Sequence, residues 1–291
     1  RLRTSEQLVA RCADWLGEIE DANSFAHWER PRRPFGCDEP GRDDWETTAT
    51  LLREGLAYGV LSGPDIVEAY LKRAAGLDYD RWREDLLKRP RYIPSRLPKA
   101  WADFCISHFV RRKPRVRHEF SFEQFDSLSF NTGGLESPSS AVASPLYAGF
   151  DQLFAASPED ALRMLRRFEK RAAVFYRHFS RQHDRRNPRL IRVSFPWGEV
   201  PLWGDENTYR WARGAIGPEV LASAYMALDL WIGGQAANGR PLDELFRLVL
   251  RPYGLNASLC PCINLAFEHI NTPGQIDGIG NDFVNVIQPI R

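Results

Sequence analysis

The sequence predicts an all-α protein whose antiparallel helices stack in an α-solenoid-like, HEAT- or TPR-like layout, with one small β-hairpin near residues 190–203. Apolar residues recur every three or four positions along much of the 291-residue chain, as in amphipathic helices. Short segments containing proline and glycine separate these stretches and indicate tight helix connections. No sequence period repeats, so the stacked layout is inferred from the helix order alone.

Residues 1–132 are predicted to form an N-terminal helical region. Thr4 and Gln7 have the spacing of a capping box. An apolar stripe through Leu8, Cys12, Trp15 and Leu16 then predicts a helix over about 5–20. Further helices are expected near 45–58, 62–74, 79–87 and 99–110.

A flexible linker is predicted over residues 133–146, which are small and polar, followed by a C-terminal helical region over 147–291. Ser157-Pro158-Glu159-Asp160 supplies an N-cap, a first-position proline and two acids, and predicts a helix reaching Gln182. Residues 189–203 indicate two short strands turned by Pro196-Trp197-Gly198. Later helices are expected over 217–231, where Gly233-Gly234 would end the helix, and over 241–251 and 258–269.

Composition is that of an ordinary globular protein, with 43% hydrophobic and 26% charged residues. The net charge of +1 points to no particular partner. Five scattered cysteines do not form a disulfide framework, which favours a reducing cytoplasm. No apolar run reaches the ~20 residues of a membrane span, so no membrane partner is predicted. Because the chain lacks an initiator Met, we expect it to be a segment of a longer protein.

Motifs for several kinds of chemistry are missing from the sequence. There is no GxxxxGK[ST] phosphate loop, no acidic residue two positions before any lysine, and no GxSxG elbow. Cys260 and Cys262 lie in an apolar stretch and are expected to pack in the core rather than bind a metal. We therefore predict no catalytic residue, metal ligand or cofactor in this segment.

A strongly basic stretch runs from Ala161 to Arg192, with eleven cationic residues and two acidic ones. This face could bind phosphates of a nucleic acid, or it could be a solvated surface or dock an acidic part of the same parent protein. No stacking aromatic residues alternate with the arginines, which favours the second interpretation. The predicted face comprises Arg163, Arg167, Lys170, Arg171, Arg177 and Arg181.

A cluster of aromatic and charged residues follows the predicted hairpin. We favour a structural clasp, in which tryptophan rings stack on arginines and Asp205 or Glu206 pairs with one of them. The alternative is a ligand pocket in which Arg210 and Arg213 bind an anion. The cluster comprises Trp203, Asp205, Tyr209, Arg210, Trp211 and Arg213.

Two runs carry a family resemblance: FPWGEVPLWGDENTYRWARG, and then GPEVLASAYMALDLWIGGQAANGRPLDELFRLVL followed by an apolar Ser/Cys-rich helix. Residues 145–270 thereby resemble the helical region of large bacterial STAND or NACHT-like ATP-binding proteins, several of which act in anti-phage defence. In those proteins this region follows a nucleotide-binding module and serves as scaffold and sensor. The family's nucleotide-binding residues have no counterpart here.

The resemblance implies a non-catalytic scaffold or sensor segment that contacts other domains of its parent protein or a second copy. Any ATP would be bound elsewhere in the parent protein. The alternative function left open by the residues is a nucleic-acid-binding module that uses the basic face of residues 161–192.

Overall fold

The computed structural model describes residues 2–24, 42–76, 86–110, 143–182, 189–213 and 218–269. Helices make up 76% of these described residues, and the described strands form one two-stranded antiparallel sheet. This confirms the predicted all-α fold with a single hairpin. The chain divides into two compact units, Arg1–His108 and Phe109–Arg291.

In the first unit, α1 packs against both α2 and α3. The predicted apolar stripe of α1 is partly wrong. Leu16 is buried as predicted and Cys12 is partly buried, but Leu8 and Trp15 are 63% and 43% exposed, and Val9 is buried in place of Leu8. Val9 lies against Gly59, where the two helices approach closely. The described helices of this part are α1 (Leu2–Ser24), α2 (Arg42–Gly59), α3 (Pro64–Gly76), α4 (Ile93–Arg96) and α5 (Pro98–Phe109).

The second unit contains the hairpin and the remaining helices. Its helices are α6 (Phe150–Ala156), α7 (Pro158–Gln182), α8 (Glu206–Arg210), α9 (Glu219–Ala237), α10 (Leu242–Val249) and α11 (Leu259–His269). Its strands are β1 (Arg189–Phe195) and β2 (Gly198–Gly204), and 3-10 turns span Tyr147–Gly149, Trp211–Arg213 and Asn256–Ser258.

Helix α7 begins where the sequence predicts, because Ser157 and Asp160 cap it. The Ser157 hydroxyl donates to the Asp160 carboxylate at 2.9 Å, and Pro158 occupies the first helical position. The strands also lie where predicted, with Arg189 opposite Gly204 and Phe195 opposite Gly198.

Helix α9 is the centre of the second unit and packs against α6, α7, α10 and α11. It is apolar on most sides, which is typical of a buried helix. The predicted stop at Gly233-Gly234 is wrong, since α9 continues to Ala237. Ile232 and Ala236 are buried on either side of the glycines, so packing outweighs the helix-breaking tendency of glycine.

Two sequence predictions fall largely outside the described residues. Most of the predicted linker over 133–146 lies there, and so does most of the predicted helix over 79–87, of which residues 86–87 are helical. Both stay predictions. Within the ranges given above, no helix combines the length and apolarity needed to cross a membrane.

We expect Gly233→Ala to raise the free energy of unfolding by about 1 kcal/mol, because alanine loses less backbone entropy in a helix. A Cβ at this position would meet no atom within 4 Å. Urea unfolding followed by circular dichroism measures the change. Gly59→Ala is the matched control and should destabilise, because its Cβ would lie 2.6 Å from Cγ2 of Val9. A destabilised Gly233→Ala variant would contradict the placement of this glycine inside α9.

Candidate functional site

A hydrogen-bonded cluster, called the clasp from here on, lies where β2 passes into α8. It consists of Tyr176, Asp205, Thr208 and Asn256, and it differs from the predicted stacking of tryptophan rings on arginines. Asp205 caps α8: its Oδ1 accepts from the Thr208 amide at 2.9 Å, and its own amide donates to Thr208 Oγ1 at 2.7 Å. These reciprocal bonds form a capping box, which helps a helix of only five residues to start.

The clasp joins parts of the chain that are far apart in sequence. The Tyr176 hydroxyl of α7 donates to Asp205 Oδ2 at 2.9 Å. Asn256 donates from Nδ2 to the Asp205 carbonyl at 2.7 Å and accepts at Oδ1 from the Thr208 hydroxyl at 2.8 Å. The polar groups of the clasp therefore hydrogen-bond one another, which offsets their partial or complete burial.

Aromatic rings pack around Tyr176 beside the clasp. Trp211 is fully buried, and its ring meets that of Tyr176 edge-on at 5.3 Å, while Trp203 does so at 6.5 Å. The Arg177 guanidinium lies over the Trp203 ring at 5.6 Å. Trp203, Asp205 and Trp211 of the predicted cluster thus meet around Tyr176, which the sequence did not single out.

The two arginines of the predicted cluster do not converge on one anion site. Arg210 is exposed and pairs with Glu206 at 2.6 Å. Arg213 is exposed and lies 5.8 Å over the ring of Tyr209. A shared ligand held by both arginines is therefore not what this geometry favours.

The predicted basic face divides into residues with different surroundings. Arg163 pairs with Asp160 at 3.1 Å, and Arg167 is exposed. Arg171 is partly buried, and this burial lowers its pKa. Lys170 and Arg177 border a cavity, whereas the side chain of Arg181 lies outside the described residues.

This cavity, the α7 groove, has a volume of about 710 Å³ and lies between α7, the hairpin and residues 249–255. Its apolar lining includes Leu162, Leu165, Val249 and Leu255. Arg166 and Arg251 join Lys170 and Arg177 along it. The sequence missed Arg251 and Tyr253 because an Arg-Pro-Tyr-Gly run is typical of a helix stop, and only the chain path brings it beside α7.

Backbone hydrogen bonds hold residues 253–254 against β2. The Trp203 amide donates to the Gly254 carbonyl at 2.8 Å, and the Tyr253 amide donates to the Pro201 carbonyl at 2.6 Å. Tyr253 has φ of +64°, in the left-handed region that few non-glycine residues adopt. The outer wall of the α7 groove is therefore an extension of the hairpin.

A buried carboxyl, Glu169, lies on the inner side of the groove. The hydroxyls of Tyr225 and Ser258 donate to its Oε1 at 2.6 and 2.7 Å. Burial raises the pKa of Glu169 above the usual glutamate value. A raised carboxyl pKa beside a cavity also occurs in acid–base catalysis, but here two hydroxyls already occupy Oε1, so the group ties α7 to α9 and to residues 256–258.

Comparisons with protein-family models, curated proteins and solved structures give no match for this chain. Among the residues that the structure describes, no three His, Cys, Asp or Glu side chains lie together so as to hold a metal ion. The clasp and the α7 groove are therefore the features of the described residues that bear on function.

We expect Gly204→Ala to lower the free energy of unfolding by about 3 kcal/mol or more, because it combines backbone strain with a collision. Gly204 has φ of +154°, and an added Cβ would collide with Asn256 Oδ1 and Thr208 Oγ1. Gly198→Ala is the control: it has φ of +127° but open space around the Cβ, so only strain of about 1 kcal/mol is expected. Thermal unfolding of both variants measures the difference, and equal losses would show that the clasp tolerates the methyl group.

The raised pKa of Glu169 predicts a specific dependence of stability on pH. Between 4.5, the usual value, and the raised folded-state pKa, the folded protein holds a proton that the unfolded chain has released. The free energy of unfolding should therefore fall as pH rises through this window and then level off. Glu169→Gln removes the titrating group, so the stability of the original protein relative to this variant should decrease with rising pH. Urea titrations at several pH values test this, and a difference that grows with pH would contradict it.

Proposed function

We propose that the chain is a non-catalytic helical scaffold or sensor segment of a larger, cytoplasmic, ATP-binding bacterial defence protein, and that it acts through protein–protein contacts. The observation that carries the proposal is that the polar groups of the clasp bind one another. Asp205, Thr208 and Asn256 hydrogen-bond one another and Tyr176, so their polar groups hold chain segments together.

The resemblance of residues 145–270 to the helical region of STAND and NACHT-like proteins supports the same proposal. A region that transmits a signal between domains needs segments that keep their relative positions, which buried and fully paired polar groups provide. Other domains of the parent protein, or a second copy of the chain, are the expected partners.

A second candidate function is nucleic-acid binding by the basic face. The observation in its favour is that Trp203 and Tyr253 border the same groove as Arg166, Lys170 and Arg177. Aromatic and cationic side chains together are the usual surface for single strands. This function differs from the first in a measurable way, because phosphate contacts release counterions.

We expect no saturable binding when the purified chain is titrated against labelled single-stranded and duplex DNA and RNA at about 50–200 mM salt. The same chain should form a stable complex with the rest of its reading frame, measured by analytical ultracentrifugation. Binding that involves all four groove cations would instead weaken with a log–log salt slope of about −3 to −4. That slope, or no association with the remaining frame, would contradict the scaffold proposal.

A further inference from the structure

The α7 groove has an unusually apolar border for a solvent-facing surface. Val174 of α7 is 58% exposed, Leu190 of β1 is 50% exposed and Tyr253 is 74% exposed, and all three line the groove. The apolar lining continues inward through Leu162 and Leu165. Large apolar side chains grouped around a concavity typically mark a binding surface.

Four cations surround this apolar strip, namely Arg166, Lys170, Arg177 and Arg251. Among the described residues, no salt bridge joins any of them to a carboxylate, although the buried Glu169 carboxyl of the same lining attracts Arg166. Burial and the nearby positive charge of Arg251 lower the pKa of Arg166, so the two guanidinium groups are close enough to repel each other. An anionic occupant would relieve this repulsion, which makes the groove electrostatically complementary to acidic ligands.

The shape and chemistry of the groove favour a peptide over a nucleic acid. Bases bind single-strand sites by stacking on free aromatic faces. Arg177 already covers one face of Trp203, and Tyr176 meets its ring edge-on, which leaves Tyr253 as the exposed aromatic residue of the lining. Val174 and Leu190 are well-exposed aliphatic residues of the lining, and such side chains suit aliphatic or aromatic anchors of a protein partner.

We propose that the α7 groove binds an acidic amphipathic peptide segment of a partner protein, in which Asp or Glu residues flank Leu, Ile or Phe side chains. The apolar side chains occupy the strip between α7 and residues 249–255, and the carboxylates pair with Lys170, Arg177 and Arg251. This inference depends on the proposed function, because it names the contact surface and the chemistry of the partner for a protein-binding scaffold.

The test is a selection from a random 12-residue display library against the purified full chain, followed by fluorescence anisotropy with the selected synthetic peptides. We expect Asp and Glu to be enriched next to Leu, Ile and Phe. Replacing the Asp and Glu residues of a selected peptide with Asn and Gln should weaken binding by about tenfold or more, because charge pairs across the interface are lost.

Matched variants place the binding in the groove. Lys170→Glu and Arg251→Glu each change an exposed cation of the lining and should weaken peptide binding about tenfold. Arg167→Glu makes the same charge change at an exposed site of α7 outside the lining and should have less than about a twofold effect. Leu190→Ser should weaken binding, whereas Leu230→Ser, at an exposed leucine of α9, should not.

Several outcomes would overturn the inference. One is selection of neutral or basic peptides, or of none. Another is acidic peptides whose affinity is the same for Lys170→Glu and Arg167→Glu. A third is a 12-nucleotide single strand that binds and is lost in Lys170→Glu while acidic peptides do not bind. If acidic peptides do not bind the groove but the chain still associates with the rest of its reading frame, the peptide inference fails and the scaffold proposal stands. The two failures are therefore distinguishable.

Discussion

The second unit depends on the hydrogen bonds made by Asp205. The Asp205 carboxylate caps α8 and accepts from the Tyr176 hydroxyl of α7. The backbone carbonyl of Asp205 accepts from Asn256, and Asn256 in turn accepts from the Thr208 hydroxyl. A five-residue helix has little stability alone, so these long-range partners keep α8 in place. The same bonds fix the end of β2 and thereby the strand extension that forms the wall of the α7 groove.

A second polar link reinforces the first. Glu169 and Tyr176 are seven residues apart on α7, so both lie on the face that packs inward. The turn Asn256–Ser258 connects with both, since Asn256 joins the clasp and Ser258 donates to Glu169. Removing one partner from such a buried network leaves other groups unpaired, which makes the arrangement cooperative.

Local signals in the sequence predicted where helices and strands lie. Non-local contacts determine which helix faces are covered and which distant residues bind each other, and local signals do not show this. The cap at Ser157, the hairpin turn and the apolar pattern of α9 are encoded within a few residues. Leu8 and Val9 lie on adjacent helical faces, so spacing alone did not reveal which one α2 and α3 cover. The bond between Glu169 and Ser258 spans 89 positions, and nothing in either segment indicates the other.

The strained backbone of Tyr253 connects the scaffold with the groove. A non-glycine residue at φ of +64° costs about 1 kcal/mol, and the hydrogen bond from its amide to Pro201 offsets part of that cost. In this conformation a large ring is 74% exposed at the groove border, where it gains little from burial. Strain of this kind persists where the surrounding structure enforces it and often accompanies binding. A partner that covers Tyr253 would give the ring the burial that the folded chain alone does not provide.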